Sequence, residues 1–341
     1  MSARRGPLTA RRALVWCAGL GLALAAVVVA AVTLGSSGIT PAVLLGDAAP
    51  AEARAILLQV RLPRVLLAAL LGGALALAGA ALQGLFRNPL ADPYVLGISG
   101  GASVGGVVAL ALAARAGWGG AAAVPLLSFL GALGALVAVE RLATTGGRLN
   151  LYALLLTGAI CNAFAAAAIF FVQSVASAEQ LHAIVFYLMG RIPSPGPAGL
   201  ATAAGVTLVA ALALVTRARD YNALALGDEA ARQLGVDVEG LKRWTFFWTA
   251  LLTAVAVALA GMVGFVGLVL PHLLRLAAGP DHRLLLPAAW LGGGAFLVLA
   301  DLAARTALAP VELPVGVITA LLGGPFFVWL LRRRAGEGPL G

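Results

Sequence analysis

The chain has 341 residues, of which 61% are hydrophobic and 11% are charged, and its mean hydropathy is +1.00. Soluble domains carry about 25% charged residues, so this composition excludes a soluble globular protein and indicates one embedded in a membrane. The net charge of +9 comes from arginines scattered over short segments, without the basic stripe of a nucleic-acid-binding protein. We therefore expect no nucleic-acid partner.

Apolar runs long enough to cross the hydrocarbon core of a bilayer as helices recur along the chain. The first, 13–34, follows a short basic N-terminal segment, 1–12. Because this run is longer than the core of a signal peptide and has no convincing cleavage site, it predicts an uncleaved first span. Nine further spans are predicted at 64–84, 94–115, 121–139, 151–172, 197–216, 244–263, 265–279, 284–304 and 314–331. The run 265–279 is short, and Pro271 predicts that its helix is broken.

Helices are the expected form of these runs, because a helix satisfies its own backbone hydrogen bonds in lipid. The sequence therefore predicts an all-α polytopic membrane protein with about ten transmembrane helices. No intervening segment is long enough for a second domain, so we expect a single domain, 1–341. An even number of spans puts both termini on one side. Cytoplasmic termini place 17 of the 23 Lys and Arg residues inside and 6 outside, which is the usual bias.

The second span is packed with small residues. Gly72, Ala76, Ala80 and Gly84 recur every four residues and predict a face on which another helix backbone approaches closely. The span begins after Arg61-Leu-Pro-Arg64 and ends at Arg87-Asn-Pro-Leu-Ala-Asp-Pro93, where the prolines terminate the helix.

Two short segments outside the spans have helical patterns. Ser177-Ala-Glu-Gln180 is a capping box that leads into a short amphipathic helix ending near Gly190, and we expect it on the outer face. On the cytoplasmic side, we expect a helical hairpin at about 220–242. Its segment 226–235 has Asp228 and Glu229 in the first helical turn, where acidic groups suit the helix dipole. Gly235 is a C-terminal stop signal, and Asp237 could cap a second short helix.

The apolar face of this hairpin is formed by Leu226, Ala230 and Leu234. An apolar helical face displayed in water fits the groove of a partner protein. The alternative is a helix that lies on the membrane surface.

Several kinds of chemistry are missing from the sequence. The chain has one lysine, Lys242, and it belongs to no Gly-Lys-Ser/Thr sequence, so a phosphate-binding P-loop is excluded. His182, His272 and His282 have no metal-ligand spacing, and we expect no metal or other cofactor. Asp301 is the one acid deep in a span, and an i,i+4 ion pair with Arg305 is its simplest interpretation.

The residues described so far resemble the permeases of bacterial ABC importers for iron chelates (ferric siderophores and haem) and vitamin B12. The resemblance covers nearly the whole chain. It is carried by Arg61-Leu-Pro-Arg64, Gln83-Gly-Leu-Phe-Arg-Asn-Pro-Leu-Ala-Asp-Pro93, Leu96-Gly-Ile-Ser-Gly-Gly-Ala102, Leu226-Gly-Asp-Glu-Ala-Ala-Arg-Gln-Leu-Gly235, Gly264-Phe-Val-Gly-Leu-Val-Leu-Pro-His-Leu-Leu-Arg275, Asp281-His-Arg283 and Glu312-Leu-Pro-Val-Gly-Val-Ile-Thr319.

The resemblance implies a type II ABC importer permease fold in the bacterial inner (cytoplasmic) membrane. It implies a homodimer, two ATP-binding cassette ATPase subunits and a periplasmic or lipid-anchored substrate-binding protein, with an iron chelate or corrinoid as cargo. The chain itself would not be an enzyme, because the partner subunits hydrolyse ATP.

The resemblance also implies roles for individual residues. It implies that Arg61, Arg64 and Arg305 dock the binding protein and that Asn88 and Leu90 form the cytoplasmic gate. The residues that it implies for coupling to the ATPase are Leu226, Gly227, Asp228, Glu229, Ala230, Arg232, Leu234 and Gly235.

Other classes of function remain as alternatives. An ion-coupled secondary transporter would need buried acids at the midplane of the membrane, and a purely structural or assembly protein would not need the displayed hairpin. The residues do not choose between an iron chelate and vitamin B12, and the iron chelate is preferred only because it is the commoner cargo of the family.

Overall fold

The computed structural model describes residues 8–35, 51–116 and 122–335. Arg4 and Arg5 of the predicted basic N-terminal segment lie outside them. The described part is almost entirely helical, apart from a two-stranded antiparallel hairpin in which β1, Thr144–Thr145, pairs with β2, Arg148–Leu149.

The helices of the first half begin with α1, Ala10–Thr33. A second helix, α2, Ala51–Ala55, continues through a π-helical turn, Ile56–Arg61, into α3. They are followed by α3, Leu62–Phe86; a 3-10 turn, Pro93–Leu96; α4, Ile98–Ala116; α5, Ala123–Ala143; α6, Leu151–Ser174; and α7, Ala178–Leu188.

The second half consists of helices α8 to α14. Their bounds are α8, Pro197–Val215; α9, Ala218–Leu224; α10, Asp228–Gln233; α11, Val238–Ala260; α12, Val266–Ala278; α13, His282–Thr306; and α14, Val315–Ala335. Every predicted span lies on one of these helices, with boundaries shifted by a few residues. Seven described helices have the length and hydropathy to cross a membrane, and shorter apolar helices lie at Ile98–Ala113, Val266–Ala278 and Val315–Val328.

Helix α3 is the centre of the bundle, because 19 of its 25 residues are buried. It packs against α13, α11, α12 and α8. A Cβ atom added at Gly72 would meet the carbonyl of Gly293 on α13, and one added at Gly79 would meet that of Gly267 on α12. The small residues of α3 therefore let two neighbouring helices approach its backbone, as the stripe predicts.

The peripheral helices expose apolar side chains. In α1 only Ala31 and Val32 are buried, and α6 exposes Phe164, Phe170 and Phe171. Such faces are expected where a membrane protein meets lipid or another subunit.

Helix α12 differs from the prediction, because it is short but not broken. It continues through Pro271 over all 13 residues. A proline leaves the carbonyl four residues earlier without its helical donor, which here is the carbonyl of Gly267. The side-chain amide of Gln83 on α3 donates to this oxygen at 3.3 Å and to that of Leu268 at 3.3 Å. The neighbouring helix thus replaces the missing hydrogen bond.

The prediction of a second short helix after Gly235 is also wrong. Asp237 caps α11, whose 23 residues run without interruption, and its side chain accepts from the backbone N–H of Gly240 at 3.0 Å. An unpredicted short helix, α9, instead precedes α10. The hairpin at 220–242 therefore consists of α9, α10 and the first turn of α11.

The capping box of α7 is confirmed in full. The side chain of Ser177 accepts from the backbone of Gln180 at 3.3 Å, and the side chain of Gln180 accepts from the backbone of Ser177 at 2.9 Å. The helix ends at Leu188, two residues before Gly190, whose φ of +78° favours glycine because glycine has no Cβ atom.

Candidate docking, gate and coupling sites

One end of α3 carries a buried cluster of charged side chains, which we call the arginine end. Arg64 donates from Nε and Nη2 to one carboxylate oxygen of Asp301, at 3.1 and 2.9 Å. Arg305 donates from Nε to the other oxygen at 3.0 Å. The predicted i,i+4 pair of Asp301 and Arg305 is therefore present. Arg64 converts it into a three-membered network that joins α3 to α13.

The same cluster extends to α1 and to the segment before α14. Arg305 donates to the carbonyl of Ala31 at 3.1 Å, and Arg61 donates to those of Val32 and Thr33 at 3.1 and 3.3 Å. Arg64 also pairs with Glu312 at 3.0 Å. These contacts hold four segments of the chain together at one end of the bundle.

The three arginines with an expected docking role are thus brought together, but they are buried. The exposed fractions of Arg61, Arg64 and Arg305 are 6%, 9% and 5%. Arg191 differs from them, because 67% of its side chain is exposed and its guanidinium lies 4.0 Å from Glu312. The sequence gives no sign of this contrast, since all four residues are arginines at the ends of apolar runs.

The opposite end of α3 holds the predicted gate turn. Helix α3 stops at Arg87, which adopts a left-handed conformation with φ of 51°. In the turn, the side chain of Asn88 accepts from the backbone of Leu90 at 2.9 Å, and Asp92 caps the 3-10 turn by accepting from Tyr94 at 2.7 Å. Asn88 is exposed and Leu90 is partly buried. The turn therefore has a defined shape rather than a frayed helix end.

Tyr94 and Pro93 connect this turn to the start of α12. The hydroxyl of Tyr94 accepts from the backbone N–H of Val263 at 2.9 Å. A Cβ atom added at Gly267 would lie 3.0 Å from the Cδ atom of Pro93 and 2.8 Å from the carbonyl oxygen of Leu75. Since Leu75 is in the middle of α3, helix α12 begins about halfway along the bundle.

Helix α10 is the candidate coupling element. It has six residues, with Asp228 and Glu229 in its first turn and Arg232 in its last. The flanking Leu226 and Leu234 are 70% and 64% exposed, so the predicted apolar residues are displayed on the surface.

The two glycines of the coupling segment, Gly227 and Gly235, have φ of +112° and +84°. These values favour glycine. The first precedes α10 and the second follows it, so both chain reversals around this helix depend on residues without a Cβ atom. Ala230 lies between them in α10 and is partly buried.

Asp228 links this helix to the gate turn and to α11. One of its carboxylate oxygens pairs with Arg87 at 3.1 Å, and the other pairs with Lys242 at 3.3 Å. Lys242 also pairs with Glu239 at 2.9 Å, and Glu239 accepts from the backbone of Leu149 at 3.1 Å. We call this end, with Arg87, Asp228 and Lys242, the coupling end.

A second cluster at the coupling end joins α9 to α13. The side chain of Asn222 donates to Asp281 at 2.8 Å and accepts from the backbone of His282 at 2.8 Å. Hydrogen bonds from Arg283 first, and then from Asn222, lower the pKa of Asp281 to about 2. The residues of the sequence Asp281-His-Arg283 thus have a structural function in anchoring α13.

The start of α1 also lies at the coupling end, because Arg12 donates to the carbonyl of Ala278, the last residue of α12, at 2.7 Å. Helix α3 has 25 residues and so separates the arginine end from the coupling end by about 37 Å. Within the described residues, no group of three His, Cys, Asp or Glu side chains is placed to hold a metal ion.

Several contacts of these sites are not visible in the sequence. Arg64 and Asp301 are 237 residues apart, and Arg87 and Asp228 are 141 residues apart. Motif matching identifies Arg64 and Asp228, but it does not identify their partners. The signal that was available is the rarity of acids in so apolar a chain, since each acid is a strong candidate for pairing.

Comparisons with known proteins give one consistent result. Residues 19–333 match the model of the FecCD transport family. The ABC transporter permease protein YvrB of Bacillus subtilis is 44% identical, over 82% of this chain and 79% of its own length. The hemin transport system permease protein HmuU of Yersinia pestis is 42% identical, over 82% and 84%. The cobalamin import system permease protein BtuC of Halobacterium salinarum is 38% identical, over 95% and 97%.

A solved structure supports the same fold. A metal-chelate type ABC transporter in an inward-facing conformation superimposes with a TM-score of 0.80 and 30% identity, and the match covers 94% of this chain and 99% of that one.

Proposed function

This chain belongs to the FecCD transport family, and we propose that it forms the membrane path by which an ATP-driven importer takes an iron chelate, haem or a ferric siderophore, into the cytoplasm. It is a permease of the ABC transporter type, like its relatives. The alternative within the family is a vitamin B12 or other corrinoid cargo, which its 38% identity to BtuC over 95% of the chain supports.

The proposed arrangement is a type II importer permease with ten crossings and both termini in the cytoplasm, in the bacterial inner membrane. Seven long and three shorter apolar helices are consistent with ten crossings. The contact of Arg12 with Ala278 supports cytoplasmic termini, because it puts the start of α1 at the coupling end. The arginine end then faces outward.

The observation that carries the proposal is the pair of sites at the two ends of one buried helix. Helix α3 begins in the arginine cluster at Arg64 and ends at Arg87, which is bonded to the displayed helix α10. A membrane anchor needs neither site. A protein that is controlled from both surfaces needs both, together with a rigid element between them.

We propose that α10 is the coupling helix, on which the ATPase subunit acts. The coupling residues are Leu226, Gly227, Asp228, Glu229, Ala230, Arg232, Leu234 and Gly235. Nucleotide bound to the ATPase subunit can shift the permease from one state to the other only if the ATPase then binds the two states with different affinities. Through the ion pair of Asp228 with Arg87, a movement of α10 would act directly on the gate turn at Asn88 and Leu90.

At the outer surface, we propose docking of a periplasmic or lipid-anchored substrate-binding protein over the arginine end. Arg61, Arg64 and Arg305 contribute positive charge there. Because they are buried, their contribution is the field that orients an acidic partner and raises its association rate, while their hydrogen bonds fix the shape of the surface.

A homodimer is proposed for the permease itself. Exposed apolar side chains on α6 and α14, among them Phe164 at 75% and Leu321 at 66% exposure, are available for a second copy as well as for lipid. Small and apolar faces are the usual contact surfaces between membrane helices. Two ATPase subunits would complete the assembly.

Reconstitution with purified partners tests the proposal. In liposomes, the complex with its ATPase and binding protein should take up radiolabelled ferric haem or a ferric siderophore only with ATP, and the chain alone should take up none. Uptake by the chain alone, driven by a proton or sodium gradient, would show an ion-coupled transporter. Asp301 offers little support for that class, because it lies toward one end of α13 and is already paired with two arginines.

A further inference from the structure

A trough lies at the arginine end, between α7 and the segment that precedes α14. One part, of about 420 Å³, is lined by His182, Ala183, Phe186, Tyr187 and Arg191. The adjoining part, of about 210 Å³, is lined by Phe186, Arg191, Glu312, Leu313 and Pro314. Because Phe186 and Arg191 line both parts, the two form one continuous trough. Its size is that of a site for a small molecule.

The wall formed by α7 is held rigidly in place. Besides the capping box at its start, Gln180 donates to the carbonyl of Ala111 at 3.2 Å, and Ile184 is fully buried. The hydroxyl of Tyr187 is 3.0 Å from that of Ser128 and 3.3 Å from the carbonyl of Val257. These contacts hold α7 in place, so that the side chains of α7 that line the trough keep a fixed arrangement.

His182 is exposed on this wall. Its ring lies 4.4 Å from that of Phe186, one helical turn later. Among the described residues, neither ring nitrogen has a hydrogen-bond partner. An imidazole nitrogen that is accessible and not hydrogen-bonded can bind a metal that offers an open coordination position.

Arg191 supplies a positive charge to the same trough. Its backbone N–H donates to the carbonyl of Ala260 at 2.8 Å, so its position is fixed while its side chain remains 67% exposed. Glu312, its nearest acid at 4.0 Å, is shared with Arg64, which it meets at 3.0 Å. The charge of Arg191 is thus only partly neutralised, and a guanidinium in this state suits a carboxylate.

We propose that this trough is a cargo contact site for a planar metal chelate that bears carboxylates, of the porphyrin type. His182 replaces a water ligand on the ferric ion without electron transfer, Phe186 and Tyr187 lie against the ring, and Arg191 pairs with a carboxylate. The proposal rests on the proposed function and narrows its cargo. A ferric siderophore encloses its metal and leaves no position for an imidazole, and a corrinoid carries amides at its rim in place of carboxylates.

The probe is ferric protoporphyrin IX, added without binding protein to the permease–ATPase complex in lipid nanodiscs. Wild type should bind it with a displaced Soret band and more tightly than metal-free protoporphyrin IX. His182→Ala should lose the displaced band and bind the two porphyrins equally, which corresponds to a loss of about tenfold or more for the iron form. Preference for iron that is unchanged in His182→Ala would overturn the site, because packing alone cannot distinguish the two probes.

The carboxylate contact has its own test. Arg191→Gln should weaken binding of ferric protoporphyrin IX by roughly three- to tenfold and leave binding of its dimethyl ester unchanged. Arg219→Gln, an exposed arginine at the coupling end, should change neither. Equal weakening for acid and ester in Arg191→Gln would contradict the proposed pairing.

Uptake assays separate this proposal from the proposed function. ATP-driven uptake of cobalamin or a ferric siderophore, together with an undisturbed Soret band, would overturn the porphyrin trough and leave the permease function standing. A lack of ATP-driven uptake for all three chelates would count against the function itself.

Discussion

Arg87 and Asp228 join the end of the central helix to the start of the displayed helix α10 through an ion pair of 3.1 Å. Arg87 is the last residue before the gate turn, and Asp228 is the first residue of α10. If α10 is the coupling helix, a displacement of it would reach the turn through this contact between side chains.

Reversing this pair should uncouple transport from ATP hydrolysis. Because both side chains are partly exposed, the pair adds only about 0.5 kcal/mol to stability, and each single reversal should leave the protein folded. We expect Arg87→Asp and Asp228→Arg each to lower the number of cargo molecules taken up per ATP hydrolysed by several-fold. Asp228→Arg should be the more severe, since it also removes one of the two acidic partners of Lys242.

The double variant Arg87→Asp/Asp228→Arg should recover much of the coupling, as measured by uptake and ATPase assays on the same liposomes. Arg219→Glu is the matched control, because Arg219 is exposed on α9 at the same end and is not one of the proposed coupling residues. A double variant no better than the worse single variant would contradict a direct relay.

The exposed leucines of the coupling end should bind the ATPase subunit. Burial of a leucine side chain contributes about 1.5–3 kcal/mol, so Leu226→Ala and Leu234→Ala together should strongly reduce retention of the ATPase during purification. Leu212→Ala, which alters a leucine of α8 that is 66% exposed, should not. If the wild type, the Leu226→Ala/Leu234→Ala variant and the Leu212→Ala variant all retain the ATPase equally, this surface does not bind the ATPase subunit.

The buried network at the arginine end should be the most sensitive charged site for stability. Arg64→Ala leaves Asp301 with one of its two partners and should destabilise the protein by about 3 kcal/mol. Arg191→Ala removes an exposed side chain and should change stability by less than about 0.5 kcal/mol. Thermal unfolding followed by tryptophan fluorescence measures both, and similar shifts for the two variants would argue against a network that ties the helices together.

Docking of the binding protein should depend on salt and on Arg61. Arg61→Gln is a better choice than a change at Arg64, because it removes the charge, keeps a neutral hydrogen-bond donor beside the carbonyls of Val32 and Thr33 that accept from Arg61, and leaves the carboxylate network intact. We expect Arg61→Gln to lower the association rate about twofold or more at low salt, with the difference shrinking as salt screens the field. Arg219→Gln, at the opposite end, is the control. An association rate that changes neither with salt nor in Arg61→Gln would remove the electrostatic basis for docking there.

The replacement of a helical hydrogen bond by Gln83 can be tested by a double-mutant cycle. Gln83→Leu leaves the carbonyl of Gly267 without its donor and should destabilise the protein by about 1–3 kcal/mol. In Pro271→Ala the helix supplies its own N–H, so the further loss on Gln83→Leu should be smaller by about 1 kcal/mol. Rescue should remain incomplete, because Gln83 also accepts from Arg275 at 3.1 Å. Strict additivity of the two changes would show that the bond to Gly267 contributes nothing.

The sequence predicted the features that depend on local pattern. The apolar runs, the capping box at Ser177, the first turn of α10 and the pair of Asp301 with Arg305 all involve residues close together in the chain, where spacing determines geometry. Each of them is present in the structure.

What could not be predicted depends on contacts between distant segments. Pro271 predicts a break when read alone, and the helix continues only because Gln83 lies beside it. Asp237 predicts the cap of a second short helix, whereas in the structure the helix that it caps continues into the bundle. Lys242, in the first part of this helix, is buried and paired with acids. The burial of three arginines likewise follows from partners on other helices.

Helix α12 starts beside Leu75, halfway along α3, and the space beyond its first residue is filled by other parts of the chain. Gly190 and Gly316 approach the carbonyl of Met262 there. Along this side of the bundle, α12 therefore occupies the half nearer the coupling end, and the end of α7 and the start of α14 occupy the other half.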